Sequence, residues 1–356
     1  MPENFSVRSY KGDYQVRFDD DLEALVKRFA TTDSHWLVDA NVARAHGGAL
    51  RGPLSAATTI VVDATEEAKS IEKIIGIMHR LVEHKLRRNQ RLVAVGGGIV
   101  QDITCFIAST MLRGVDWKFL PTTLLAQADS CIGSKSSVNL GTVKNILGTF
   151  NPPSEIAICG LFLDTLEQKD IRSGIGEIIK VHAIDSAAAF DRLAQDYDTL
   201  SADRAVLIHY IEQALKIKKR YIEIDEFDQG VRNIFNYGHS FGHAIESATD
   251  FAVPHGIAVT MGMQIANSVA AQRGLITESQ RTRMQPLLKK NIGAFATTQI
   301  PFDAMLSALT KDKKNTASQL VVILPVGKDA AIQKVPLDND PTFRSQLQAA
   351  LAGMRQ

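Results

Sequence analysis

Alternating apolar and polar positions mark two short strands between Phe5 and Phe18, folded around Lys11-Gly12-Asp13, and a helical period follows over residues 20–29. From there the two periods take turns. Residues 35–38 and 59–62 read as strands, 66–85 as a helix, and 91–95 as a buried strand running into Gly96-Gly97-Gly98. Strand, glycine turn and helix in that order are the parts of a nucleotide-binding α/β unit. Another strand at 117–120 is stopped by Pro121, and 155–158 makes one more. From about Asp170 the helical period dominates, at 171–184, 205–222, 241–248 and 257–271, with one late apolar run at 320–325 reading as a strand. The pattern predicts an α/β, Rossmann-like nucleotide-binding domain over 1–165 and a mainly α-helical domain over 166–356. The boundary rests on the change of period alone, since no repeat or low-complexity linker marks it.

A chain of 356 residues agrees with two domains, and 45% hydrophobic with 22% charged residues is an ordinary globular mix. Forty Lys plus Arg against 39 Asp plus Glu leaves a formal charge of +1, so no global field draws the chain to nucleic acid or an anionic membrane. Basic residues matter locally if at all. Cys105, Cys131 and Cys159 have no C-x-x-C spacing, which speaks against a disulfide framework and a thiolate zinc site and fits a reducing cytoplasm. The first residues lack the apolar run of a signal peptide, and no segment offers about 18 unbroken apolar residues for a membrane span.

Three stretches carry candidate chemistry. Gly96-Gly97-Gly98 opens a helix where free N–H groups favour a phosphate, but Gln101 stands at the third glycine of G-x-G-x-x-G, and a triple glycine also serves as a tight turn. Between Arg113 and Asn145, Lys135 and Lys144 are interleaved with Ser, Thr and Gly; such a run suits a phosphorylated substrate or a solvated loop. Asp129, in an apolar neighbourhood, requires a partner. The third stretch is Asn236-Tyr237-Gly238-His239-Ser240-Phe241-Gly242-His243, whose two histidines fall on one helical face. Ser240 excludes the zinc-protease motif, which needs glutamate there. Two histidines and one acid with an open position describe a catalytic zinc site; Glu177 beside glycines and His255 at the mouth of an apolar helix are further candidates, against the alternative of structural histidines.

Taken in order, VGGGIVQD, LRGV, PTTLLAQADS, SKSSVN, KN, GEIIK, DE followed by GVRNIFNYGHSFGHAIE, PHGIAV and DKK resemble the 3-dehydroquinate synthase family and its sugar phosphate cyclase relatives over roughly residues 35–330. The resemblance implies a metal, zinc or cobalt, on Glu177, His239 and His255, and a tightly held NAD. Asp39, Asn41, Glu66 and Lys69 match positions that hold the adenosine part. Gly97 and Gly98 match the pyrophosphate turn, Asp102 and Lys144 groups near the nicotinamide, and Thr122, Thr123 and Thr165 further cofactor contacts. Lys135, Asn145, Asn236, His243 and Asp312-Lys313-Lys314 look like a phosphate cradle. Lys218 and Arg232 match a pair binding a substrate carboxylate, Asp129 and Lys180 polar groups around ring hydroxyls, and Arg113 an arginine lent to a neighbouring subunit of a homodimer.

The implied reaction converts a phosphorylated heptulosonate to a carbocycle by transient oxidation with NAD, phosphate elimination, re-reduction and intramolecular aldol closure. This chain departs from the common synthase at Gly133-Ser134-Lys135-Ser136-Ser137, where Gly-Gly-Lys-Thr-Gly is usual, and after Asn139, where Leu-Gly-Thr-Val replaces His-Pro-Leu-Gly. Gln101 and Cys159-Gly160 also depart. Lys218 and Arg232 favour a carboxylated substrate, because buried cations without an anion are costly. The runner-up is a pathway-specialised cyclase acting on sedoheptulose 7-phosphate or glucose 6-phosphate. A polyol dehydrogenase of the same architecture is disfavoured by the dense set Lys135, Asn145, Lys218, Arg232 and Lys314, whose charges a neutral polyol would leave unmatched. A catalytically dead binding protein is disfavoured by the intact ligand set.

Overall fold

The computed structural model describes residues 2–141, 143–311 and 319–354. The chain divides into two compact units, Met1–Glu167 with Ile208–Asp228, and Gln168–Leu207 with Gln229–Gln356. The return of Ile208–Asp228 to the first unit leaves no trace in the period of the sequence, which is helical on both sides.

The first unit is built on a seven-stranded sheet. Its strands are β1 (Phe5–Val7), β2 (Tyr14–Phe18), β3 (Ser34–Asp39), β4 (Thr59–Val62), β5 (Arg91–Gly96), β6 (Asp116–Pro121) and β7 (Glu155–Ile158). The order across the sheet is β1-β2-β7-β6-β5-β3-β4, parallel throughout except for the antiparallel β1 at the edge. Parallel strands covered on both faces carry apolar side chains at successive positions, and this is why β3, β5 and β7 read as near-continuous apolar runs. One face packs Trp36, Val38, Val93, Val95, Leu120 and Ala157 against Leu22, Leu25, Val26 and Phe29 of the amphipathic helix Leu22–Phe29. The chain passes from β3 to β4 on one side, then crosses back to β5 on the other. Strand order therefore reverses between β3 and β5, and in open α/β sheets such a switch leaves a crevice at the carboxyl ends of the strands. Asp39 ends β3 there, and Gly96 ends β5.

Residues 66–85, expected as one helix, are two elements. Glu66–Lys69 forms a 3-10 turn capped by Thr65, and the α-helix Ile71–Glu83 starts afresh from Ser70, whose extended backbone (φ −77°, ψ 146°) and side-chain bond to Lys73 N make it the cap. A hairpin, Val138–Leu140 with Val143–Leu147, also escaped the pattern because most of it is exposed.

In the second unit, helices surround one central helix, and the hairpin Gln319–Val326 with Ala331–Asp338 lies among them. We label α1 (Gly98–Thr110), which belongs to the first unit, and α2 (Gln168–Asp185), α3 (His239–Ala248) and α4 (His255–Gln272), which belong to the second. Helix α4 is buried along nearly its whole length, consistent with apolar residues all around it. Its neighbours approach unusually closely. A Cβ on Gly176 of α2 would fall 2.1 Å from Gly256 O, and one on Gly262 of α4 would fall 2.0 Å from Gly238 O. Only glycine permits these backbone contacts, and Gly238 further needs its positive φ of 79° to start α3. No helix among the described residues is long and apolar enough to cross a membrane.

Candidate active site

The first unit gathers the nucleotide candidates at its switch point. Gly97 caps α1 with no side-chain cap bond, which leaves the helix N–H groups facing outward. A Cβ there would lie 2.9 Å from Thr123, so the turn runs flush against the loop after β6. Gly98 follows in α1, and Thr122 is buried with its N–H on Gly96 O at 3.0 Å. Thr123 Oγ1 accepts from Ala126 N at 3.2 Å. Asp39, buried, accepts from Asn41 N at 2.8 Å, and burial raises its carboxyl above the usual range against the pull of that bond. Thr165 Oγ1 meets His46 Nε2 at 3.0 Å, a histidine the sequence did not single out. Gln101, the departure from the glycine fingerprint, is buried and bonds reciprocally with Ser130, its Nε2 reaching the carbonyl at 2.6 Å while Ser130 Oγ reaches its Oε1 at 2.7 Å. It ties α1 to the turn that carries Asp129.

A polar network joins residues assigned to different ligands. Lys69 Nζ donates to Asp102 Oδ2 at 3.1 Å and to Asn145 Oδ1 at 2.9 Å. Asn145 adopts φ 54°, and its N–H reaches Asn139 Oδ1, whose amide in turn reaches Glu66 Oε1 at 2.8 Å. Burial lifts the Asp102 carboxyl to about 6, opposed by Lys69 and by Ser137 N. Lys144 is exposed on the hairpin. Lys135 pairs with Asp228. Asp129 finds its expected partner in Lys218, at 2.7 Å, and Lys218 also bonds Asp129 O. This corrects the premise that Lys218, buried as it is, lacks an anion within the protein. Arg113 is exposed at the end of a tight turn in which Leu112 and Arg113 both take left-handed backbone angles, φ 53° and 63°.

The second unit gathers the metal candidates. The close glycine contacts bring α2, α3 and α4 together, so Glu177 Oε1 lies 3.6 Å from His239 Nε2 and 3.4 Å from His255 Nε2. Glu177 is 1% exposed, and its other oxygen takes the ammonium of Lys180, which also lies over the Phe235 ring. One ligand atom each from His239, His243 and His255 fall within 4.8 Å of one another. His243 is exposed, one helical turn beyond His239. Burial would depress the His255 imidazole, but bonds to Glu177 and Glu246 override it and lift its pKa to about 10. The cluster thus favours a positive charge at its centre, and imidazole nitrogens, borderline donors, with one carboxylate suit zinc or cobalt. The residues fit a divalent ion.

Arg232 is buried in the 3-10 turn Val231–Asn236, and Asn236 ends that turn with its Nδ2 on Asn233 O at 3.0 Å. Asp312, Lys313 and Lys314 lie outside the described residues. Glu246 was not expected at the site. The available signal was its place seven residues after His239 on α3, which returns it to the same helical face.

Two family models match in sequence, 3-dehydroquinate synthase N-terminal over residues 59–173 and 3-dehydroquinate synthase C-terminal over 174–315. A 3-dehydroquinate synthase of Alkaliphilus metalliredigens (strain QYMF) is 34% identical over 312 residues, covering 86% of this chain and 88% of its own. Among solved structures, a 2-deoxy-scyllo-inosose synthase complexed with carbaglucose-6-phosphate, NAD+ and Co2+ aligns with TM-score 0.83 at 22% identity, over 98% of this chain and 100% of its own. A 2-epi-5-epi-valiolone synthase from Streptomyces hygroscopicus subsp. jinggangensis 5008 with NAD+ and Zn2+ bound aligns with TM-score 0.80 at 28% identity, over 96% of both chains.

Proposed function

This chain belongs to the 3-dehydroquinate synthase family of the sugar phosphate cyclases, phosphate-eliminating lyases, and on that premise we propose that it converts 3-deoxy-arabino-heptulosonate 7-phosphate to 3-dehydroquinate. The observation that carries the reaction type is the cluster of Glu177, His239 and His255 around one point. Support for the substrate comes from the 34% identity to a 3-dehydroquinate synthase, which exceeds the 22% and 28% identity to the two solved cyclases.

In this reading Glu177, His239 and His255 hold a zinc or cobalt ion, and Gly97, Gly98, Asp39, Asn41, Glu66, Lys69, Asp102, Thr122, Thr123, Lys144 and Thr165 hold NAD. When bound, the nicotinamide supplies a reversible hydride acceptor, and the metal supplies a Lewis acid at the hydroxyl being oxidised. The chain's own residues do the rest. Lys135, Asn145, Asn236, His243, Lys313 and Lys314 grip the phosphate and stabilise charge as it departs. Arg232 takes the carboxylate together with Lys218, whose ammonium has Asp129 to share. Lys180, held by Glu177, is the polar group that meets ring hydroxyls, and holding one flexible molecule through several steps is the main catalytic work. Arg113 completes the site of a second copy in a homodimer; its exposure suits that role. The buried thiols of Cys105, Cys131 and Cys159 suit a cytoplasmic setting.

A second reading, a specialised cyclase for a sugar phosphate without a carboxylate, draws on the Lys218–Asp129 pair, because a lysine already neutralised in the fold does not demand a substrate carboxylate. The experiment is to incubate the protein with NAD, zinc or cobalt, and 3-deoxy-arabino-heptulosonate 7-phosphate, following phosphate release and the carbocyclic product. Release from sedoheptulose 7-phosphate or glucose 6-phosphate alone selects the second reading. Net NADH accumulation with a polyol, without phosphate release, makes it a dehydrogenase.

A further inference from the structure

Two histidines of the cluster are fixed through the nitrogen that points away from Glu177. His239 Nδ1 lies 3.3 Å from Tyr237 O, a neutral carbonyl, whereas His255 Nδ1 lies 3.2 Å from Glu246 Oε1, a carboxylate. A carbonyl only accepts, and an ionised carboxylate only accepts, so both imidazoles carry hydrogen on Nδ1 and turn the Nε2 side toward Glu177. Glu246 is itself well shielded, its side chain 12% exposed. It reaches His255 because α3 and α4 pack backbone to backbone, and because positions 239, 243 and 246 of α3 share one face.

His255 needs such a partner more than His239 does. It is the first residue of α4, preceded by Pro254, and its side chain is 33% exposed, against 15% for His239. Its ring is flanked by the imidazoles of His239 and His243, with centroids 5.3 and 5.7 Å away, and the bond to Glu246 fixes which way its nitrogens face. We infer that Glu246 is a positioning residue for the metal centre, orienting His255 and making Nε2 a stronger donor toward the ion. The inference rests on the reading of Glu177, His239 and His255 as the metal ligands. Outer carboxylates of this kind contribute about 10–100-fold to metal affinity.

The test is zinc affinity by competition with a chromogenic chelator, together with the visible spectrum of the Co2+-loaded protein, for Glu246→Ala, Glu246→Gln and His255→Ala. Glu246→Ala should raise the zinc Kd about 10–100-fold and alter the Co2+ bands, with Glu246→Gln in between because its oxygen still accepts from Nδ1. Should Glu246→Ala fail to fold, the isosteric Gln variant carries the test. Wild-type zinc affinity and an unchanged Co2+ spectrum in both Glu246 variants, with zinc binding lost in His255→Ala, would overturn the positioning role and leave the metal site standing. Wild-type affinity in His255→Ala itself would overturn the metal site and the inference with it.

Discussion

At the scale of single residues, burial decides how much chemistry each group can do. Cys105 and Cys131 are fully enclosed, and burial pushes both thiols up to about 12. Only the thiolate is nucleophilic, and at pH 8 its share at such a site is about one part in ten thousand. Because the folded pKa lies above the ordinary thiol value of 9.0, the protonated form is favoured by folding. That contribution to stability is complete below about pH 9 and is lost as pH climbs from 9 toward 12. Treatment of the native protein with a thiol reagent at pH 8 should therefore leave both residues unmodified until denaturant is added, and rapid labelling of either, mapped by mass spectrometry, would contradict this. The need of Asp129 for a partner was legible from its apolar neighbours, but the identity of the partner was not, because Lys218 is distant in the chain and helical periodicity says nothing of where a helix docks. With that pair made, the substrate carboxylate loses one of its two sequence-based arguments.

Elements were most legible where their periodicity answers to burial. The strands β3, β5 and β7 and the helices α2 and α4 stand within a few residues of their apolar runs. What periodicity omits is how near two helices come, and here that distance is set by glycines lying beside the candidate ligands. A Cβ on Gly256 would meet Ser173 O at 1.8 Å, in the turn that begins with His255. Helices α2 and α4 would have to separate, and Gly256→Ala should cost at least about 1–3 kcal/mol in denaturant unfolding while weakening zinc binding by displacing His255 from Glu177. Gly76, exposed within the helix Ile71–Glu83 with nothing within 4 Å of a Cβ, supplies the control. Gly76→Ala should stabilise by about 0.4–1 kcal/mol and leave zinc affinity alone. Equal effects of the two substitutions would mean that the close packing of α2 and α4 does not set the geometry of the ligands.

For the molecule as a whole, a net charge of +1 leaves no broad field to gather cations, so specific binding has to come from local donors. The candidate ligands Glu177, His239 and His255 all belong to the unit formed by Gln168–Leu207 and Gln229–Gln356, on three different helices. An ion that bridges three helices binds the folded unit and not the unfolded chain, so it must stabilise the fold by mass action. At free zinc about 100-fold above Kd this amounts to about 2.7 kcal/mol, and a body of this size moves by about 2–4 °C for each kcal/mol. Zinc should raise the melting temperature of protein first stripped with a chelator, and a chelator added again should reverse the shift. In Glu177→Ala the shift should vanish, whereas in Arg113→Ala, an exposed turn residue outside the ligand set, it should persist in full. A zinc-induced shift of equal size in Glu177→Ala would place the ion elsewhere and detach the acid of α2 from the metal altogether.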